Sequence, residues 1–182
     1  MQRRQFIARA SLLAATLAAG FAAMPAHAQA DKFPQRPIRL VVGYTAGGST
    51  DIPFRVLAEN ASKILGQPVI VENKPGAGGV LPAQMMQSTQ PDGYTLAQVS
   101  MPVFRLPYTT KINWDPVKDL TYVINLAGYS FGLVVPADSP IKTMQDYIAY
   151  AKANPGKLTY GSPGTMTTLH LTMEDLAMRQ GV

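Results

Sequence analysis

Ile38-Arg39-Leu40-Val41-Val42, followed by Gly43-Tyr44-Thr45-Ala46-Gly47-Gly48-Ser49-Thr50-Asp51, is the stretch on which the fold turns. Five residues dominated by branched apolar side chains read as a short strand. From Ser49 to Leu65 the spacing changes to that of a helix, with Ile52, Val56, Leu57, Ala61, Ile64 and Leu65 toward one side. Ser49 or Thr50 is placed to cap this helix, Pro53 sits in its tolerant first turn, and Gly66 ends it in the left-handed conformation that other residues avoid. A strand feeding a helix through a glycine-rich turn is the opening unit of an α/β fold.

The unit recurs downstream. Pro68 to Glu72 reads as a strand, Gly76-Ala77-Gly78-Gly79 as a turn, Val80 to Ser88 as a short helix with Pro82 near its start, and Tyr94 to Val99 as a third strand after the Pro91-Asp92-Gly93 turn. Strands alternating with helices imply a parallel sheet with right-handed crossovers. Between Met101 and Pro116 the pattern becomes irregular, with Pro102, Pro107, Pro116 and Trp114, which predicts an extended connection. Thr121–Ala127, Gly132–Val135 and Leu158–Tyr160 read as further strands. Thr143-Met144-Gln145-Asp146 is a capping box for a helix ending at Asn154-Pro155-Gly156, and Thr167 to Gln180 forms a last helix with Leu169, Met173, Leu176 and Ala177 on one face. A β-α unit opened this late leaves an apolar face and a sheet edge without partners, so the chain is expected to be an N-terminal fragment, with a domain-swapped or partner-completed chain as the alternative.

The N-terminal residues carry a different signal. Arg3, Arg4 and Arg9 precede an uncharged run from Ala10 to Ala26, and Ala26-His27-Ala28 supplies a small-x-small cleavage pattern, so residues 1–28 are expected to be an export signal cut near Ala28. Arg3-Arg4-Gln5-Phe6-Ile7 fits either the twin-arginine or the general route. The apolar run is shorter than the roughly 20 residues a membrane helix needs, so no permanent membrane anchor is expected. Removing the three arginines takes Lys+Arg from 16 to 13 against 11 Asp+Glu, and the formal charge from +5 to +2. No basic cluster suited to nucleic acid remains. With zero cysteines, disulfides, thiolate metal sites and cysteine nucleophiles are all excluded.

Three strand-to-helix turns concentrate glycine and small hydroxyls: residues 44–51, Pro75-Gly76-Ala77-Gly78-Gly79, and Gly161-Ser162-Pro163-Gly164-Thr165. In a parallel sheet such turns share the carboxyl edge, where ligands bind. Close backbone approach and helix N-termini suit an anion, and a carboxylate more than a polyphosphate. Neither the P-loop pattern nor a dinucleotide fingerprint is present, and the spacing around Ser162 is not that of a hydrolase elbow. Asp51 either meets a ligand or stabilises its own helix. Tyr44 either walls the cleft or packs in the core. His170, the one histidine beyond the expected cleavage point, has no visible catalytic or metal-binding companion and suits packing or hydrogen bonding near the third turn. Trp114 and the methionines, Met85, Met86, Met166 and Met173 among them, are assigned to packing.

Taken in order, Arg36-Pro37-Ile38-Arg39, Gly47-Gly48-Ser49-Thr50-Asp51, Gly66-Gln67-Pro68-Val69, the run Val71 to Gly79, Pro91-Asp92-Gly93-Tyr94-Thr95-Leu96, Asp115-Pro116-Val117-Lys118-Asp119-Leu120 and the run Ala149 to Lys157 resemble the tripartite tricarboxylate transporter substrate-binding family, the Bug-type receptors. The resemblance spans essentially all of the chain after the export signal. It implies an α/β, periplasmic-binding-protein-like fold of two lobes with mainly parallel sheets, the first over residues 29–124 and the start of the second over 125–182. It also implies a periplasmic, non-enzymatic receptor that binds a small organic carboxylate, such as a di- or tricarboxylate, acidic amino acid or aromatic acid, and delivers it to membrane permease subunits, with no cofactor. Carried over residue by residue, the ligand contacts fall on Tyr44, Ala46, Gly48, Ser49, Thr50, Asp51, Ala77 and Gly78 in the first lobe, and on Ser162, Thr165, Thr167 and His170 in the second. Thr165-Met166-Thr167-Thr168-Leu169-His170 departs from the family's Gly/Ser-rich version of that loop. The competing readings are a receptor that signals to a membrane sensor and an exported small-acid enzyme using Asp51 and His170.

Overall fold

A computed structural model describes residues 32–182, so the expected export signal and its cleavage point lie outside the described residues. The chain divides into two compact units, residues 1–35 and 36–182; the first is described only at 32–35, which holds no regular element. The second unit carries everything that follows. Among the described residues no helix is long and apolar enough to cross a membrane.

The sheet has three parallel strands in the order β2 (Val69–Asn73), β1 (Ile38–Val42), β3 (Thr95–Ala97). Val42 of β1 pairs with Asn73 and Val41 pairs with Ala97, so all three strands end at one edge. β1 is central, and Ile38, Leu40, Val41 and Val42 are buried, which explains its near-continuous apolar run. Arg39 alone in this strand is exposed, and its guanidinium donates to both carboxylate oxygens of Glu72 on β2, at 2.9 and 2.8 Å.

Helix α1 (Asp51–Leu65) follows β1 and is stopped by Gly66 at φ +69°, whose N–H donates to the Ser62 carbonyl. The expected apolar side of α1 is only partly used. Ile52, Val56 and Ile64 are exposed, and the helix meets the sheet through Ala58 with Leu57, Ala61 and Ser62 half-buried. The stripe formed by residues 52, 56 and 64 passes through Asn60, and nothing among the described residues covers it. Thr50 makes no side-chain capping bond, and the first residue of the helix, Asp51, turns its carboxylate back to loop one instead, accepting from Gly47 N–H. After β2 come a single 3-10 turn (Ala77–Gly79) and helix α2 (Leu81–Met86), shorter than the sequence suggests.

The expectation of an extended connection after Met101 is overturned: residues Met101–Thr109 form helix α3. Pro102 lies in its first turn, where its missing N–H would have been unbonded anyway, and Ser100 enters in extended geometry. Pro107 does interrupt the ladder, but Thr110 still donates to the Leu106 carbonyl at 2.8 Å, and Val103 and Leu106 pack into the core with Val80, Ala83, Val99, Trp114 and Leu120. That burial outweighs the proline.

Three strand expectations also fail. Thr121–Ala127, Gly132–Val135 and Leu158–Tyr160 have no regular structure, and Val123, Ile124 and Val134 are exposed. A strand exists through its ladder, and among the described residues no backbone hydrogen bond reaches these segments from another part of the chain. Helix α4 (Met144–Ala153) begins at the expected capping box, with the Thr143 hydroxyl accepting from Asp146 N–H at 3.1 Å and the Asp146 carboxylate accepting from Thr143 N–H at 2.9 Å. Helix α5 (Thr168–Gln180) ends at Gly181 in the left-handed region, and its apolar face is half-buried at most.

Candidate functional site

The carboxyl edge of the sheet holds the first two glycine loops, and their contact is backbone on backbone. A Cβ on Gly43 would sit 2.7 Å from the Gly79 Cα, and one on Gly79 would sit 2.7 Å from the Tyr44 ring. Only glycine permits both approaches. Tyr44 is half-buried and its hydroxyl donates to the Gly78 carbonyl at 3.0 Å, so the ring covers loop two rather than standing free. Burial raises the Tyr44 phenol above its ordinary pKa, which keeps it a neutral donor. From the other side, the buried Ser100 hydroxyl lies within bonding distance of the Gly78 and Gly79 carbonyls, at 3.3 and 3.0 Å. Gln98, also buried, accepts from Gly43 N–H at 3.3 Å.

Asp51 is 1 % exposed and is occupied from three directions. Its Oδ2 accepts from Gly47 N–H at 2.8 Å and from Arg55 Nε at 2.7 Å, while Oδ1 accepts from Asn73 Nδ2 at 2.8 Å. Asn73 also donates to the Tyr44 carbonyl at 2.9 Å and accepts from Arg55 Nη2 at 2.8 Å. Loop one is thereby fastened to the first turn of α1 and to the end of β2. The Arg55 bond, then those from Gly47 and Asn73, hold the carboxyl at a pKa of about 2, so it is ionised at neutral pH. Every partner of this carboxylate is internal. Ala46 and Ser49 are exposed at the crest of the loop, Gly48 is half-buried, and the buried Thr50 accepts at Oγ1 from the Tyr129 hydroxyl at 3.1 Å.

The third loop lies against the second. A Cβ on Gly78, which has φ +63°, would come 3.1 Å from the Thr165 carbonyl oxygen and 3.4 Å from Thr167 Cγ2. Thr167 is buried; its hydroxyl donates to the Gly164 carbonyl at 2.7 Å and accepts from His170 N–H at 3.3 Å, capping α5. His170 thus enters through its backbone. Its Nε2 is 3.8 Å from Glu174, and its Nδ1 is buried with no hydrogen-bond partner among the described residues. Ser162 and Thr165 are exposed. Ala77 at φ +47° and Met166 at φ +61° are non-glycine residues in the left-handed region, one in each of the two touching loops. Such strain persists only where surroundings impose it and clusters at ligand sites and switches.

The structure therefore brings Tyr44, Gly78, Thr165 and Thr167 into one cluster. Thr50 joins the second half of the chain through Tyr129, whereas Ala46, Ser49 and Ser162 are exposed. Two open cavities, of about 550 and 470 Å³, are lined by other residues, the first around Phe104, Tyr108 and Trp114 and the second by 132–136 and 158–161 among others. Asn73, Arg55, Ser100 and Arg105 were not singled out by sequence reasoning. Asn73 could have been, since it is a polar residue at the carboxyl end of a parallel strand, and Ser100 likewise lies within three residues of the end of β3. Arg105 was hidden by the missed helix; its Nη1 donates to the Met166 carbonyl at 2.7 Å and its Nη2 to Thr168 Oγ1 at 3.2 Å.

Comparison with known proteins places this chain in a family. Residues 53–182 match the family described as the tripartite tricarboxylate transporter family receptor. A Cupriavidus necator protein, the UPF0065 protein in the gbd 5′ region, is 90 % identical over 182 residues, covering 100 % of this chain and 56 % of that protein. The structure of R. palustris Rpa4515 with adipate superposes with a TM-score of 0.72 at 31 % identity, over 82 % of this chain and 51 % of the other. The periplasmic binding protein BugD gives a TM-score of 0.64 at 30 % identity, over 82 % and 50 %. This chain spans about half the length of the relatives it matches. It belongs to the tripartite tricarboxylate transporter receptor family and has the α/β fold, with a parallel sheet, of periplasmic binding proteins.

Proposed function

We propose that this chain forms the ligand-capturing part of a periplasmic receptor that takes a small organic carboxylate and hands it to the permease subunits of a tripartite transporter. The observation that carries the reading is the junction of the glycine loops at Gly78 and Gly79, where Gly43 and the Tyr44 side chain of loop one and the Thr165 carbonyl of loop three meet loop two at the carboxyl edge of a parallel sheet. Backbone N–H groups and helix N-termini favour an anion there, and the related R. palustris protein is seen with adipate. Residues 29–124 would form the first lobe and 125–182 the beginning of the second, with Tyr44, Ala46, Gly48, Ser49, Thr50, Ala77 and Gly78 facing Ser162, Thr165, Thr167 and His170. Asp51 acts in this scheme by shaping loop one, because its carboxylate is bonded internally. The same pairing argues against its use as a catalytic acid or base, and the reading assigns the site no reaction. Export by a cleaved signal at residues 1–28 completes the scheme.

The test is thermal unfolding of the protein lacking residues 1–28 against a panel of small mono-, di- and tricarboxylates, with the corresponding amides as neutral controls. It is run on this chain and on this chain completed with the unmatched part of the Cupriavidus necator relative. A ligand at a hundred times its Kd stabilises the folded state by about 2.7 kcal/mol. An upward shift with an acid and none with its amide is the expected result. Stabilisation by the amides alone, or by no member of the panel in the completed protein, counts against a carboxylate receptor.

A further inference from the structure

Arg105 is the exception among the arginines of the described residues. Arg36, Arg39, Arg55 and Arg179 each pair with a carboxylate, of Asp92, Glu72, Asp51 and Asp175, at 2.7 to 2.8 Å. Arg105 is half-buried on α3 and donates only to neutral oxygens, the Met166 carbonyl and the Thr168 hydroxyl. A guanidinium stays charged at any relevant pH and offers five N–H donors, of which these bonds use two. A partly desolvated cation without a counter-charge is costly unless an anion arrives.

Its position is what gives this meaning. α3 starts at the glycine loops: Ser100 bonds to loop two, and Pro102 Cγ lies 3.6 Å from where a Gly78 Cβ would be. One turn further along, Arg105 holds the carbonyl of Met166, the residue directly after Thr165, whose own carbonyl abuts Gly78. The guanidinium therefore stands beside the junction of loops two and three. Asp51, the one acid within the loops, is already paired with Arg55 and cannot neutralise it.

We propose that Arg105 is a specificity-determining residue of this site, supplying the positive charge that meets the second carboxylate of a dicarboxylate while the loop backbone holds the first. The inference rests on the carboxylate-receptor reading and narrows it to dianions. The bonds to Met166 and Thr168 orient the guanidinium, and its remaining donors form the charge-assisted pair with the ligand.

Calorimetric titration of the completed protein with adipate, with its monoamide and with hexanoate tests it, in the parent and in the Arg105→Gln and Arg105→Lys variants. Arg105→Gln is expected to weaken adipate by roughly tenfold or more while leaving the two monoacids nearly unchanged, so that the preference for the diacid collapses. Arg105→Lys, which keeps the charge, is expected to retain part of that preference and decides the matter if the glutamine variant fails to fold. Equal losses for diacid and monoacids overturn the proposal and leave Arg105 as a clamp on the third loop. A parent that binds monoacids as tightly as adipate overturns it as well, with the receptor reading intact. A parent that binds no carboxylate at all removes the reading beneath it.

Discussion

Asp51 draws a loop, a helix and a strand together through one carboxylate, with Gly47, Arg55 and Asn73 as its donors. Those donors depress its folded-state pKa to about 2, below the value of roughly 3.9 for an unfolded aspartate. For a depressed carboxylate, the stabilisation is fully present above the unfolded pKa and is lost as pH falls through the folded one. Thermal midpoints of the parent should therefore drop as pH is lowered from about 4 toward 2. Asp51→Asn should start from a lower midpoint at pH 7 and change less over that window; parallel curves for the two proteins would show that the three bonds contribute nothing. Two glycines near the same loop separate steric from torsional cost. A methyl at Gly43 collides with Gly79 backbone, which cannot swing aside, so Gly43→Ala should destabilise by about 1–3 kcal/mol and disturb the contact between loops one and two. Gly47, at φ +79°, has open space around it, so Gly47→Ala should cost only the left-handed strain of about 1–2 kcal/mol. Denaturant titration of both variants measures the difference, and only Gly43→Ala should also weaken carboxylate binding.

At the scale of single elements, α4 is the clearest case of a helix start written in the chain. Thr143 and Asp146 satisfy each other's backbone N–H groups. Thr143→Ala should lower stability by about 1 kcal/mol, or about 2–4 °C in thermal midpoint, and amide exchange in the first turn of α4 should quicken; no change in either would mean that α4 is held by Tyr147 and Ala151, its buried residues, alone. Why this helix was legible and α3 was not follows from what each depends on. The capping box, the alternation of β1, α1, β2 and α2, and the stop at Gly66 are local, readable within a few residues. α3 depends on Val103 and Leu106 finding Trp114 and Val80, and its prolines, which read as breakers, sit where the helix tolerates them or survives them. The site divides the same way. Its glycine loops are local signals, whereas Asn73 reaches Asp51 across 22 residues and Arg105 reaches Thr168 across 63, separations that no spacing rule anticipates.

For the whole molecule, the two halves of the described chain differ in how their backbone is satisfied. Residues 36–110 contain every strand of the sheet and the buried core of Val41, Val42, Val80, Ala83 and Val103. Beyond them the order rests on helices α4 and α5, while the strand-like segments at 121–127, 132–135 and 158–160 have β-rich composition and no ladder. Composition reports a preference for a pleated, half-buried surface, and that preference is realised only when neighbouring strands supply both the hydrogen bonds and the cover. This chain spans about half the length of its relatives, and the part of their length that it does not match is where the partners these segments need are expected. Hydrogen exchange distinguishes the possibilities. In this chain, amides of Leu40, Val41 and Val42 should be strongly protected, and those of 121–127, 132–135 and 158–160 should exchange with little protection. In the protein completed from the Cupriavidus necator relative, the same three segments should become protected together, because cooperative pairing orders them as a unit. Continued rapid exchange in the completed protein would mean that these segments are connections and that the second lobe is built from other parts of the chain.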